Sequence, residues 1–196
     1  VPWPPAAGTP VTPSRNGLPM GGLNIATGLN PGGAENMLYR LLCEWRRSHP
    51  SIESTVVSLV PTGSVGRRIE QLGVPVHSLD MSRRFPSPGK VLRLIGILKD
   101  VRPDIVKTWM YHANLVGGTI VKMGHRVPIV WSFHHATMSA DSLSARTRGV
   151  VSVGAGLSRL IPSAITSVSE SGRQVHIDCG YAPERVLVIP NGFDLE

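Results

Sequence analysis

Hydrophobic residues fall into short continuous runs separated by longer stretches in which they recur every three or four positions. Seven runs read as strands: 23–29, 55–60, 74–80, 104–110, 128–134, 164–169 and 185–190. They are rich in Val and Ile without strict alternation, as expected of strands covered on both faces. The stretches between them read as helices. Ala34–His49 places Met37, Leu38, Leu41, Leu42 and Trp45 on one face, and Lys90–Val101 does the same with Val91, Leu94, Ile95 and Leu98. Further helices are expected over 63–72, 113–123, 144–161 and 171–179. Pro103 and Pro128 stop helices ahead of strands, and Gly73 suits a helix end. This alternation predicts right-handed βαβ units and an α/β fold, a doubly wound Rossmann-like parallel sheet of about seven strands.

Composition narrows the picture. A chain of 196 residues is long enough for one domain with a substantial core and short for two. Residues 1–22 hold six of the 17 prolines and read as a disordered Pro-rich leader, residues 23–190 as the domain, and 191–196 as the start of a linker. No apolar run approaches the length of a membrane span. Two cysteines, Cys43 and Cys179, are too few for a disulfide scaffold, and Cys43 reads as a small buried hydrophobe. The net charge of +7 favours anionic partners, but the basic residues are scattered in pairs without interleaved aromatics, which argues against nucleic acid.

Ligands of open α/β sheets bind at the carboxyl ends of the strands. That rule selects the Gly32-Gly33 turn after the first strand, His112 after the fourth, His134 and His135 after the fifth, Ser169 and Glu170 after the sixth, and Asn191 and Gly192 after the seventh. The glycine turn lets backbone N–H groups approach an anion beside a helix N-terminus. It is neither GxGxxG nor a P-loop, and no acidic residue stands ready for a ribose after the second strand. His112 has the chemistry of a general acid or base, or of a residue packing on Trp109. No cysteine is spaced to join a histidine metal site, so no metal is expected, and no nucleophile elbow supports a hydrolase.

Three segments together resemble family 4 glycosyltransferases of the GT-B fold. They are Gly28-Leu29-Asn30-Pro31-Gly32-Gly33-Ala34-Glu35, then Pro103–Val106 running into Trp109–Leu115, then Ser167-Val168-Ser169-Glu170 followed by Val188–Asp194. The resemblance implies the N-terminal, acceptor-side half of a two-domain enzyme, with the C-terminal domain absent. It maps Gly32 and Gly33 to the donor diphosphate, His112 to a catalytic position at the donor sugar, and His134 or His135, with Ser169 and Glu170, to the acceptor side. Asn191, Gly192 and Asp194 map to the hinge. It implies a nucleotide-diphosphate sugar as co-substrate, no cofactor, a glycan or lipid-linked acceptor, and retention of configuration.

The expected function is therefore sugar transfer in polysaccharide or cell-envelope biosynthesis, with this half inactive alone. The alternative is a non-catalytic subunit that docks the acceptor and recruits a separate donor-binding chain. The expected location is cytoplasmic. Peripheral contact with an anionic membrane is a further expectation, because 144–161 combines Arg146, Arg148 and Arg159 with Val150, Val151, Val153, Leu157 and Leu160.

Overall fold

The computed structural model describes residues 20–81, 87–134 and 144–192. Within them run strands β1 (Met20–Ala26), β2 (Ile52–Ser58), β3 (Val76–Ser78), β4 (Ile105–Trp109), β5 (Ile129–Phe133), β6 (Ala164–Ser167) and β7 (Val186–Val188). All six neighbouring pairs are parallel, in the order β3-β2-β1-β4-β5-β6-β7. The helices are α1 (Gly33–Ser48), α2 (Ser64–Gln71), α3 (Pro88–Val101), α4 (Gly118–Gly124), α5 (Ala145–Leu157) and α6 (Glu170–Asp178).

Successive residues of a strand face opposite sides, and β1 shows the consequence. Ala26 joins Leu38 and Leu42 of α1, Val65 and Ile69 of α2, and Trp109 in one buried cluster. Leu23 and Ile25 join the opposite cluster, with Leu94 and Leu98 of α3, Val121 of α4 and Val151 of α5. Full burial of a side chain such as Leu94 contributes about 1.5–3 kcal/mol.

Several expected boundaries move. The first strand begins at Met20 and ends at Ala26, so residues 20–22 belong to the sheet and not to a leader. Gly21 and Gly22 bring no side chain, but a central strand needs only its backbone: they align with Glu53 and Ser54 of β2, and Gly22 also with Ile105 of β4. The fourth helical stretch opens as a π-turn over Ala113–Gly117 and only then becomes α4. Gly117 and Gly118 press that turn onto the sheet, where a Cβ would meet Ile25 at 3.0 Å and the Trp131 indole nitrogen at 2.6 Å. Helix α5 stops at Leu157, where the Ser158 hydroxyl donates to the Ala155 carbonyl at 2.6 Å and accepts the Ala182 N–H at 2.9 Å. Cys43 is half-buried and Cys179 exposed, both free. Residues 1–19, His135 and Asp194 lie outside the described residues.

Candidate functional site at the carboxyl rim

Chain order reverses direction between β1 and β4, which makes their carboxyl ends the topological switch point of the sheet. The segment from Thr27 to Gly32 leaves β1 there, and Met110-Tyr111-His112 leaves β4. Thr27 joins the two. Its hydroxyl donates to the Trp109 carbonyl at 3.3 Å and accepts the Ala113 N–H at 3.2 Å.

The glycine turn is anchored from below. Leu29 is fully buried, and its carbonyl accepts N–H groups of Val65 and Gly66 at 3.1 and 3.4 Å. Gly63 permits this approach, since a Cβ there would collide with the Leu29 carbonyl. Gly32 caps α1 in an extended conformation without a side-chain hydrogen bond to the helix start. Asn36 holds the Gly32 carbonyl through its backbone N–H at 3.1 Å and its amide nitrogen at 2.8 Å. A Cβ on Gly32 would run into the Glu35 carboxylate, whereas one on Gly33 would meet no atom within 4 Å. Packing within the protein therefore does not account for Gly33, which leaves open space at the N-terminus of α1.

A strained residue follows strand β4. Met110 has φ of 73°, the left-handed region that few side chains adopt. Its N–H donates to the Ser132 carbonyl at 3.0 Å, and its carbonyl accepts the Asn114 N–H at 2.9 Å. The kink turns Tyr111 into the core, where it is 4% exposed, and leaves His112 half-buried at the rim. Burial holds the His112 imidazole below its ordinary pKa, and the Arg146 charge at the start of α5 lowers it further. His112 thus favours the neutral form, which can accept or donate a proton.

His134 stands one strand over. It lies flat on Trp109, ring centroids 4.9 Å apart and planes at 13°, and its Nε2 is 2.9 Å from the Ser132 hydroxyl. Trp109 in turn donates its indole N–H to buried Asn24 at 3.1 Å, and the Lys107 ammonium sits 4.4 Å from its ring centre. Ser169 caps α6, its hydroxyl accepting the Gly172 N–H at 3.0 Å, and Glu170 pairs with Arg173 at 2.7 Å, so both have structural partners at the rim. Asn191 is half-buried and Gly192 exposed, and Gly192 lines a groove of about 710 Å³ against Met37, Arg40 and Leu41 of α1.

Parallel strands therefore gather Gly32, Gly33, His112, His134, Ser169 and Glu170 on one edge, with Gly33 and His112 at the switch point itself. Sequence patterns put Thr27 and Met110 at strand ends but did not reveal the Thr27 bridge or the left-handed Met110, and they gave Asn36 and Gly63 no role at the site. Of the latter two, only Gly63 carried a signal, as a glycine ahead of a helix.

The family model for Glycosyltransferase Family 4 matches residues 31–196. The chain belongs to glycosyltransferase family 4. No curated protein sequence matches it. Among solved structures, HepE of Anabaena in complex with UDP is similar at 22% identity with a TM-score of 0.73, covering 89% of this chain and 45% of that one. The galactosyltransferase WaaB of the lipopolysaccharide outer core is similar at 15% identity with a TM-score of 0.65, covering 90% and 47%. MurG of Acinetobacter baumannii follows at 15% identity and 0.58, covering 90% and 47%. A UDP-N-acetylglucosamine 2-epimerase shares the fold at 13% identity with a TM-score of 0.55, covering 88% of this chain and 48% of that one, so the fold alone does not select transfer. The chain spans less than half the length of these structures. Its seven-stranded Rossmann-like domain has the fold of GT-B glycosyltransferases.

Proposed function

We propose that this family 4 domain forms the acceptor side of a sugar-transfer cleft, with a nucleotide-diphosphate sugar as donor and a glycan or lipid-linked molecule as acceptor. The observation that carries the reading is the switch point, where Gly33, with open space around it at the start of α1, follows the β1 exit whose Thr27 accepts the N–H of Ala113, the residue after His112. The turn offers uncapped N–H groups to a diphosphate. His112, kept largely neutral, contacts the donor sugar. His134 and His135 line the acceptor side with Ser169 and Glu170, and Asn191, Gly192 and Asp194 serve as the hinge to a second domain. No cofactor or metal takes part. HepE, a structural neighbour, was crystallised with UDP and with UDP-glucose, which supports a nucleotide sugar as the donor.

Transfer needs groups from both sides of a cleft held together in the transition state. This domain supplies one side, so alone it is inactive. Calorimetry with UDP-glucose tests the assignment. The isolated chain should show no saturable micromolar binding, and such binding would overturn the half-site reading. The competing function, a docking subunit that recruits a separate donor-binding chain, requires transfer only after that second chain is added.

The same reading places the protein in the cytoplasm with peripheral contact to an anionic membrane. Val153 and Leu160 are 53% and 66% exposed near Arg146, Arg148 and Arg159. Flotation should show binding to vesicles containing acidic lipid and none to neutral ones. Equal binding to both would end the membrane assignment. Among the described residues no helix is long and apolar enough to cross a membrane.

A further inference from the structure

The turn that carries His112 is tied to more than its own strand. Beneath it, His176 of α6 is fully buried. Its Nδ1 lies 2.6 Å from the Gly172 carbonyl one turn back on the same helix. A carbonyl can only accept, so Nδ1 carries the proton; full burial disfavours a second, charged form, which leaves Nε2 as an acceptor. The Tyr111 oxygen lies 3.0 Å from that Nε2, so the phenol O–H donates to it. Burial pushes the Tyr111 hydroxyl above its ordinary pKa, which keeps the donor protonated.

The imidazole has little freedom to turn. Phe133 stacks on it with centroids 3.9 Å apart and planes at 7°, and Tyr181 meets its edge at 5.6 Å and 75°. Tyr111 also packs on Phe133 at 5.4 Å. Its side chain therefore ends on a fixed acceptor within a rigid cluster. Helix α6 begins at the rim with the Ser169 cap, so His176 connects the exit of β4 with the exit of β6.

Tyr111 and His112 are consecutive, the first buried and the second half-buried, in a turn whose first residue, Met110, is strained. Any rotation that releases Tyr111 carries His112 with it. We propose that His176 is a positioning residue, which through the Tyr111 hydroxyl holds the Met110 turn in the conformation that presents His112 to the cleft. The inference rests on the reading of His112 as a cleft residue, but its test does not depend on sugar transfer.

The test is an NMR titration of the His112 imidazole in the folded chain and in Tyr111→Phe, His176→Phe and His176→Gln. Tyr111→Phe removes one oxygen and keeps the ring packing. Release of His112 into water should raise its titration midpoint toward the free imidazole value, because the burial that lowers it is lost. His176→Phe should do the same. His176→Gln offers an amide oxygen where Nε2 stood and should restore part of the wild-type midpoint. A purely structural cluster would lower the melting temperature and leave the His112 midpoint unmoved; that result in folded Tyr111→Phe would overturn the proposal, and Tyr111→Phe alone decides if His176→Phe does not fold. A shifted midpoint in a protein that proved to have no transferase activity would uphold the positioning role and remove only the functional reading.

Discussion

The hydroxyl of Thr27, at the end of β1, accepts the backbone N–H of Ala113, the first residue of the π-turn after β4, at 3.2 Å. The same oxygen donates to the Trp109 carbonyl at 3.3 Å. One short side chain thus links the glycine loop and the His112 loop across the switch point. Thr27→Val keeps the shape and removes both bonds. A net loss of about 1–2 kcal/mol is expected, read from the urea midpoint. A variant as stable as the wild type would show that the hydroxyl does not hold the loops.

Gly33 and Gly63 should respond in opposite ways to one added methyl. At Gly33 the methyl enters open space at a helix start, so Gly33→Ala should keep or raise stability by up to about 1 kcal/mol while weakening donor use in the complete enzyme. At Gly63 it meets the Leu29 carbonyl, and Gly63→Ala should cost about 1–3 kcal/mol. Thermal melts of both variants, and the donor KM of the first in the complete enzyme, check this. An unchanged KM for Gly33→Ala would remove the glycine turn from the donor site.

Lys107 gives the folded chain a signature in alkali. Burial lowers its ammonium pKa to about 8, against about 10.4 in the unfolded chain. Between these values the unfolded state binds more protons, so this lysine makes stability rise with pH from about 8 to 10. Buried Tyr111 and Tyr181 have raised pKa values, keep their protons longer when folded, and make stability fall above pH 10. Lys107→Met should be more stable at pH 7, on the order of 1 kcal/mol, and should lack the rise. Parallel denaturation curves of the two proteins from pH 7 to 10 would refute the assignment.

His112→Ala should lower turnover of the complete enzyme by 10-fold or more, about 1.4 kcal/mol of transition-state stabilisation, while changing the melting temperature little. The side chain is half-buried and sits at the rim, where truncation removes little packing. Turnover within a factor of two of wild type would dismiss His112 from the chemistry.

Much of the fold was legible along the chain because it rests on local signals. All seven strands overlap the expected runs, with ends shifted by a few residues, since Val/Ile runs between amphipathic helices leave few other arrangements. The rim followed from parallel direction alone, which put Gly33 and His112 on one edge. What stayed hidden depends on contacts distant in sequence. Ser169 and Glu170 stand at the rim where the motif puts them, but that one also caps α6 and the other pairs with Arg173 follows from helix geometry. His134 had two possible faces, and the strand register laid it on Trp109.

The sequence by itself determined the alternation of strands and helices, the parallel sheet that alternation requires, and a glycine turn on the edge where ligands bind. Each of these follows from periodicity and from the stereochemistry of Gly and Pro over a few residues. Tertiary structure alone decided that β1 and β4 are neighbours, that Thr27 bridges their loops, that Met110 takes a left-handed conformation, and that His176 sits under Tyr111. These are pairings between residues far apart in the chain, set by which strands lie side by side and by the need of buried polar groups to find partners, and no local pattern encodes them.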